Sequence, residues 1–283
     1  MSIKALGGGY NGTNPEVLQR IIEEVEGKVI STKKSGDFVV KKYVSATEVH
    51  VEFIRTGYKT IAAAKEVRNG NVKDPLFPRV AGIGFIGVGV HKGTLDGTNK
   101  NTPVYEAWRG ILRRCYDPSC KNYSIYEDVE VCEEWHNFQN FAEWFCAQEH
   151  RDEGFVVDKD LKMFGNRAYS PSACTLVPKA VNSVFTGSDE RLNPRELPKG
   201  VHFCKTKKVY VAQVHKGEVT KLGNKKQTYL GQFKDKVPAI LAYKRAKEDH
   251  VKNVAEKYRE ALHPQVYKNL MMYEVDVSQW IKE

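Results

Sequence analysis

Two aspartates and an asparagine in the middle of the chain carry oxygen atoms that are compatible with a divalent cation. Asp158 and Asp160 flank Lys159, and Asn182 follows further along the chain. Carboxylate and amide oxygens are the ligands that hard cations such as Mg²⁺ prefer in proteins. The alternative is that the two aspartates only cap turns, and the residues alone leave both interpretations open.

Cysteines in the same region suggest a second metal hypothesis, a structural zinc site. Cys115, Cys120, Cys132 and His136 form a set of four candidate ligands. That set lacks the Cys-x2-Cys spacing that makes zinc assignments specific. Cys115, Cys132 and Cys174 stand beside apolar residues, as buried small side chains do. The pattern therefore favours packing over structural zinc.

The elements that must position these residues alternate between strands and helices. Strands are predicted at 155–161 and 174–177, with a loop at 165–171 between them and a helix at 179–185. Upstream, an amphipathic helix over 104–115 is predicted to bury one face, with a second helix at 137–148. The buried face comprises Tyr105, Trp108, Ile111, Leu112 and Cys115.

The positive charge of the chain is concentrated in its last third. Residues 199–283 hold 18 Lys and Arg against 9 Asp and Glu, whereas the other 198 residues hold 26 of each. This stretch predicts three short strands, with turns at Lys207–Lys208 and His215–Gly217, and then an amphipathic helix from Val237. A basic excess on such a module is typical of nucleic-acid binding. A lysine-rich solvated surface is the alternative.

The run GVHFCKTKKVYVAQV…YLGQF…AILAYKRAKE, roughly residues 199–257, resembles the APETALA2/ethylene-response-factor DNA-binding domain. The resemblance implies a three-stranded sheet in the major groove of duplex DNA, with outward side chains on bases and phosphates. Histidine, lysine and tyrosine replace the arginines and tryptophan of that family, which weakens guanine recognition but keeps phosphate contact. The implied DNA-binding residues are His202, Lys205, Lys207, Lys208, Tyr210, Gln213 and His215.

The pattern W..ILRRCYDP…DV.VC.EW.NF…VDKD…N..YSP..C..VP..VN resembles a phage HNH-type endonuclease family with a ββα His-Me finger. Members of that family often end in the APETALA2-like domain, so the two resemblances support each other. The resemblance implies a catalytic set of Asp158, Lys159, Asp160 and Asn182, in which Lys159 stands where active members have the base histidine. Asp158, Asp160 and Asn182 would then hold the metal. A protonated lysine is a poor base, so catalysis stays open.

The N-terminal stretch predicts a small β module with no chemistry. A helix is expected at 14–26 with Asn14 as its N-cap, followed by strands at 27–30, 37–40 and 48–54. The glycine-alternating run 82–89 is not followed by the helix that a dinucleotide-binding loop needs. A glycine-spaced strand or linker is predicted there, with a domain boundary near residue 90.

The whole sequence predicts an α+β protein of three modules: residues 1–90, β-rich; residues 91–190, HNH-like; and residues 191–283, APETALA2-like. No apolar run approaches the roughly 20 residues that span a bilayer, and the first residues lack the apolar core of a signal peptide. Six cysteines are then expected to be reduced thiols in the cytoplasm, the host cytoplasm if the protein is phage-encoded. No membrane partner is expected.

The expected function is duplex DNA binding by a phage or viral protein similar to HNH and homing endonucleases. The protein would nick or cleave the DNA with a divalent metal such as Mg²⁺ as cofactor. The alternative is an inactive relative that binds DNA or a host protein as a regulator or inhibitor. Residues 102–184 hold 9 Lys and Arg against 13 Asp and Glu. Because phosphate neutralisation supplies much of the affinity for DNA, this acidic region would need the basic module to bring it to a duplex.

Overall fold

The computed structural model describes residues 15–121, 123–185, 196–219 and 225–281. Within those ranges the fold is of the α+β class. It has several separate antiparallel sheets, and helices precede and follow the strands along the chain. The α+β prediction is therefore confirmed. The chain divides into two compact units, Met1–Glu127 with Val131–Glu143, and Asp128–Glu130 with Trp144–Glu283. The module boundaries near residues 90 and 190 stay predictions.

The first unit contains a four-stranded antiparallel sheet with the strand order β1–β2–β3–β4. Alternation explains its core, since Val49, Val51 and Phe53 of β3 are all buried while the residues between them are half-buried. The predicted helix and strands of this stretch are confirmed, and Asn14 lies outside the described residues. The elements are α1 (Pro15–Val25), β1 (Val29–Ser31), β2 (Asp37–Ser45), β3 (Glu48–Phe53), β4 (Lys59–Ala62) and α2 (Ala64–Arg68).

The helix α3, Pro103–Tyr116, begins where the Thr102 hydroxyl accepts a hydrogen bond from the Tyr105 backbone N–H at 3.3 Å. The buried residues of α3 are Trp108, Ile111, Leu112 and Cys115. They match the predicted buried face except at Tyr105, which is only half-buried. The chain then forms α4 (Tyr123–Tyr126), β5 (Glu130–Val131), a 3-10 turn (Glu133–His136) and α5 (Phe138–Cys146).

Close packing explains the glycine-alternating run at 82–89. A Cβ at Gly84 would overlap Leu112 and Trp108 of α3. A Cβ at Gly87 would likewise overlap the side-chain amide of Asn137, and a Cβ at Gly89 that of Gln139, at the start of α5. Isolated bridges at Val80–Gly84 and Phe85–Asn137 are the β-structure recorded in this run. The glycines here allow backbone and side chains to approach.

The second unit begins with strand, loop, strand and helix, in the predicted order. The strands β6 (Val156–Asp158) and β8 (Thr175–Val177) pair antiparallel, β7 (Ala168–Tyr169) lies between them in sequence, and α6 spans Lys179–Phe185. Leu161, Val177 and Val181 belong to one buried core with Val251 and Leu270 from the C-terminal helices. Residues of two predicted modules therefore share this core.

The rest of the second unit is a three-stranded antiparallel sheet with two helices, α7 (Lys236–Lys257) and α8 (Pro264–Met271). The sheet consists of β9 (Val201–Cys204), β10 (Val209–Val219) and β11 (Lys225–Phe233), with β10 central. The predicted turn at Lys207–Lys208 is confirmed. The predicted turn at His215–Gly217 is wrong, because β10 continues to Val219, with a register irregularity between His215 and Val219. Within the described ranges, no helix is long and apolar enough to cross a membrane.

Candidate metal site and candidate nucleic-acid interface

The predicted catalytic residues Asp158, Lys159 and Asp160 lie where β6 ends, in a loop of residues 158–168 that we call the aspartate loop. The Asp158 carboxylate oxygen Oδ1 accepts the backbone N–H of Asp160 at 2.9 Å and that of Leu161 at 2.7 Å. An aspartate that accepts N–H groups two and three residues ahead forms an Asx-type turn. One carboxylate oxygen of Asp158 therefore holds the backbone that follows the strand.

Lys159 is a buried cation, with 7% of its surface exposed. Its ammonium donates to Asp160 Oδ1 at 2.6 Å and to the backbone carbonyl of Asn166 at 2.9 Å. The Asn166 amide in turn donates to the carbonyls of Lys159 and Ala168, at 2.8 and 2.6 Å. Lysine and asparagine together therefore close the aspartate loop. An ammonium has no lone pair with which to accept a proton from water, so Lys159 in this form is not a general base.

Burial raises the pKa of the Asp158 carboxyl, while the hydrogen bonds from Leu161 and Asp160 act in the opposite direction, and the negative charge of Asp160 raises it further. Within the described residues, the second oxygens of Asp158 and Asp160 accept no hydrogen bond. Two neighbouring carboxylates, each with one oxygen that accepts no hydrogen bond from a described residue, form an environment that a cation would stabilise.

Asn182 lies in α6, beside the buried Val181 that packs in the same core as Leu161. Its side chain is half-buried, and within the described ranges no hydrogen bond joins its amide to the two aspartates. Among the residues that the structure describes, there is no group of three or more His, Cys, Asp or Glu side chains that could hold a metal ion. The structure thus brings the three residues of the aspartate loop together and does not link Asn182 to them.

The histidines and cysteines of the middle region have local roles. His136 lies in the 3-10 turn, and its ring nitrogen Nε2 is 3.0 Å from the Val131 carbonyl oxygen. Burial raises the pKa of the Cys132 thiol. The His150 ring stacks on Phe155 with 5.1 Å between centroids. His150 and His263 also line a cavity of about 280 Å³ in the second unit.

Helix α7 covers one face of the β9–β10–β11 sheet. Val201 of β9 and Ala212 of β10 are buried in one cluster with Ala239 and Ile240 of α7. Tyr210 packs against this cluster, because it shares a face with Ala212 under the two-residue period of a strand. The contacts on this side of the sheet are apolar, so this side forms the core of the module.

The opposite face of the sheet, which we call the outward face, carries polar side chains. Residues directly opposite one another in antiparallel strands share a face, and the pairs are Val211 with His202 and Gln232, Gln213 with Tyr229, and His215 with Gln227. Apart from the pair of Val209 with Cys204 at its end, the outward face comprises His202, Val211, Gln213, His215, Gln227, Tyr229 and Gln232. None of these seven residues is acidic, and Tyr229 is 58% exposed.

A bulge in β11 sets the composition of the outward face. Ala212 pairs with Gly231 while the next residue, Gln213, pairs with Tyr229, so Leu230 is one extra residue in β11. Gly231 has φ of +147°, a conformation that favours glycine. The extra residue turns Leu230 toward the α7 cluster and places Gln232 on the outward face.

A turn of exposed lysines joins β9 to β10. Lys205, Lys207 and Lys208 lie in this turn, residues 205–208, which we call the lysine turn. Lys208 has φ of +52°. Within the described residues, no ion pair joins any of the three lysines to a carboxylate. The lysine turn therefore presents three solvated positive charges beside the outward face.

The structure separates the DNA-binding residues that the sequence predicted. His202, Gln213 and His215 lie on the outward face, and the three lysines lie in the lysine turn. Tyr210 instead faces α7, with its ring 5.0 Å from that of Phe203. The prediction missed three outward residues of β11, which are Gln227, Tyr229 and Gln232. The two-residue alternation in Gln227-Thr228-Tyr229 places Gln227 and Tyr229 on one face. The bulge at Leu230 interrupts this alternation before Gln232.

Comparison of the chain with family models, with curated proteins and with solved structures found no match in any of the three.

Proposed function

We propose that this chain binds duplex DNA through the outward face, with the lysine turn on the phosphate backbone. The observation that carries the proposal is the outward face itself, a sheet surface of glutamine, histidine, tyrosine and one valine with no acidic member, on which four of the seven residues are exposed. Base edges in the major groove present hydrogen-bond donors and acceptors to such side chains. Strands are one of the established ways to enter a groove.

Charge supports the same proposal. Phosphate contacts by lysine supply affinity that is independent of sequence, because each contact releases condensed counterions. The three lysines of the lysine turn are exposed, and none of them forms an ion pair with a carboxylate of the described residues. The net charge of +9 for residues 199–283, against zero for the other residues, places the whole positive excess in the segment that carries the sheet. A carboxylate on the outward face would oppose this binding, and the seven residues include none.

The first experiment measures duplex binding by fluorescence anisotropy at several salt concentrations. Replacing Lys205, Lys207 and Lys208 together by alanine is expected to lower affinity about 10- to 100-fold near 0.1 M salt and to reduce the salt slope by about 2 to 3. The matched control replaces Lys33, Lys34 and Lys42, three exposed lysines of the first unit, with the same change in charge. Equal losses in the two variants, or no binding by the unmodified protein, would contradict the proposal.

Metal-dependent nicking is the second candidate function. The observation that favours it is the pair of carboxylates Asp158 and Asp160, each with one oxygen that accepts no hydrogen bond from a described residue. Burial raises the pKa of the Asp158 carboxyl. These oxygens would hold a divalent ion such as Mg²⁺, which would polarise a phosphate or a water. Asn182 is the further ligand that the HNH resemblance implies, although no hydrogen bond among the described residues joins its amide to the aspartates. The buried Lys159 ammonium would keep Asp160 in place.

Supercoiled plasmid with Mg²⁺ or Mn²⁺ tests this second candidate separately from binding. Nicking that requires the metal and is lost in Asp160→Ala and Asn182→Ala would support it. Asp152→Ala, which removes an exposed carboxylate of the same unit, is the matched control and is expected to keep activity. Duplex binding without any nicking would reject this candidate and leave the DNA-binding proposal intact.

A further inference from the structure

The outward face carries amide side chains in three successive rows of paired residues. Gln232 lies in the row of His202 and Val211, Gln213 lies in the next row with Tyr229, and Gln227 lies in the third row with His215. Gln227, Tyr229 and Gln232 are exposed, and Gln213 is half-buried in the central strand. Within the described residues, no side-chain hydrogen bond engages any of the three glutamine amides.

An amide group has the donor and acceptor pattern of one base in particular. A glutamine side chain can donate to N7 and accept from the N6 amino group of adenine in the major groove, whereas guanine offers two acceptors and is matched by arginine or lysine. The outward face has no arginine and no lysine among its seven residues. Its chemistry therefore matches adenine better than guanine.

The spacing of the face also matches a duplex. Strands about 4.8 Å apart make the three-stranded face roughly 10 Å wide, which is close to the approximately 12 Å width of the major groove. Same-face residues of one strand are about 6.8 Å apart, which equals two base-pair steps of about 3.4 Å. Successive rows would therefore address base pairs two steps apart.

We infer that the outward face recognises A·T-containing duplex DNA in the major groove, and that Gln213 and Gln232 determine specificity for adenine. This inference rests on the proposed DNA-binding function and deepens it. Gln213 stands at the centre of the sheet, in the middle row. Gln232 reaches the face only because of the bulge at Leu230, so the bulge serves to add a second amide contact.

The lysine turn has a different part in the same interface. Its contacts would go to phosphates, which fix position and orientation without distinguishing bases. Variants of the glutamines should therefore change which duplexes are preferred, whereas variants of Lys205, Lys207 and Lys208 should change affinity for all duplexes alike. This division allows the recognition of adenine to be tested apart from binding itself.

The test selects bound duplexes from a random pool, and then measures competition between an A·T-rich site from that selection and the same site with each adenine replaced by guanine. The unmodified protein should prefer the adenine site by about 5- to 150-fold for each paired glutamine. Gln213→Ala and Gln232→Ala should each reduce this preference while keeping most of the affinity for random duplex. Gln213→Arg should move the preference at one position toward guanine.

The control variant is Gln265→Ala, which replaces an exposed glutamine of α8 in the same unit and should leave the preference unchanged. Binding without preference for adenine, or a preference that the two glutamine variants keep, would overturn the inference while the DNA-binding proposal stands. Absence of duplex binding by the unmodified protein would overturn the proposed function, and the inference with it.

Discussion

The aspartate loop and the outward face are both rich in polar side chains, but they use them in opposite ways. In the aspartate loop, Asp158, Lys159 and Asn166 each make at least one hydrogen bond to a backbone group of the same loop, and Lys159 also donates to the Asp160 carboxylate. On the outward face, the side chains of Gln227, Tyr229 and Gln232 are exposed, and no side-chain hydrogen bond joins them to other described residues.

The difference shows which polar residues the fold needs. A polar side chain that satisfies a half-buried backbone group contributes to stability, and its removal leaves that group without a partner. A solvated side chain on a strand contributes little to stability and remains available to a ligand. Substitutions in the aspartate loop are therefore expected to change folding, and substitutions on the outward face are expected to change binding.

The largest expected effect on stability is at Lys159. Replacing Lys159 by alanine removes the donor to the Asn166 carbonyl and to Asp160, and should lower the free energy of unfolding of the second unit by about 2 to 4 kcal/mol. Lys268→Ala, at an exposed position of α8, is the matched control and should change it by less than about 0.5 kcal/mol. Guanidinium titrations followed by circular dichroism measure both values, and equal stability of the two variants would break the comparison.

A smaller effect is expected from the charge of Asp158, because its pKa is raised above the ordinary value of 3.8 in the folded state. The folded state then favours the protonated form, so this carboxyl lowers stability as pH rises through its folded pKa. Asp158→Asn keeps an oxygen that accepts from Asp160 and Leu161 but carries no charge. Its free energy of unfolding should rise relative to the unmodified protein between about pH 3 and pH 7.

Parallel denaturant titrations across that pH range check this expectation, with and without Mg²⁺. The opposite trend, in which the unmodified protein gains on Asp158→Asn as pH rises without metal, would contradict it. Stabilisation by Mg²⁺ of the unmodified protein alone would connect the raised pKa to metal binding.

The smallest effect on stability is expected on the outward face. Gln213→Ala, Gln227→Ala and Gln232→Ala should each change the free energy of unfolding by less than about 0.5 kcal/mol, because these amides have no partner among the described residues. Thermal and guanidinium unfolding of each variant would show this. A loss above about 1.5 kcal/mol in any of them would mean that the amide supports the fold, and would weaken the contrast between the two regions.

Local periodicity predicted most of the elements of the second unit. The alternation of Tyr210, Ala212 and Val214 predicted one face of β10, and Ala212 and Val214 are indeed buried. The strand, loop, strand and helix order around residues 156–185 was also predictable, because each element has its own hydrophobic pattern. The turn at His215–Gly217 was predicted wrongly, since pairing with β11 keeps Gly217 within β10.

Features that depend on distant residues were not predictable from spacing. The bond from Lys159 to the Asn166 carbonyl requires the loop to close, and no local pattern indicates it. The exposure of Gln232 depends on a register shift between β10 and β11. The shared core of Val181 with Val251 likewise depends on packing between residues far apart in sequence. The sequence therefore identified the aspartates and, among the glutamines of the outward face, Gln213 alone. Only the tertiary structure gives Asp158 its backbone partners and exposes Gln227 and Gln232 to solvent.

The most direct test of the account places one negative charge on the outward face. Gln213→Glu is nearly isosteric and should lower affinity for a duplex about tenfold or more at 0.1 M salt, because the new carboxylate would face bases and phosphates. Gln265→Glu makes the same change on α8 of the same unit and should leave affinity within about twofold of the unmodified protein. Anisotropy titrations of the three proteins decide the matter. A clear loss for Gln213→Glu alone is the predicted result, and equal affinities for the two variants would contradict binding through this face.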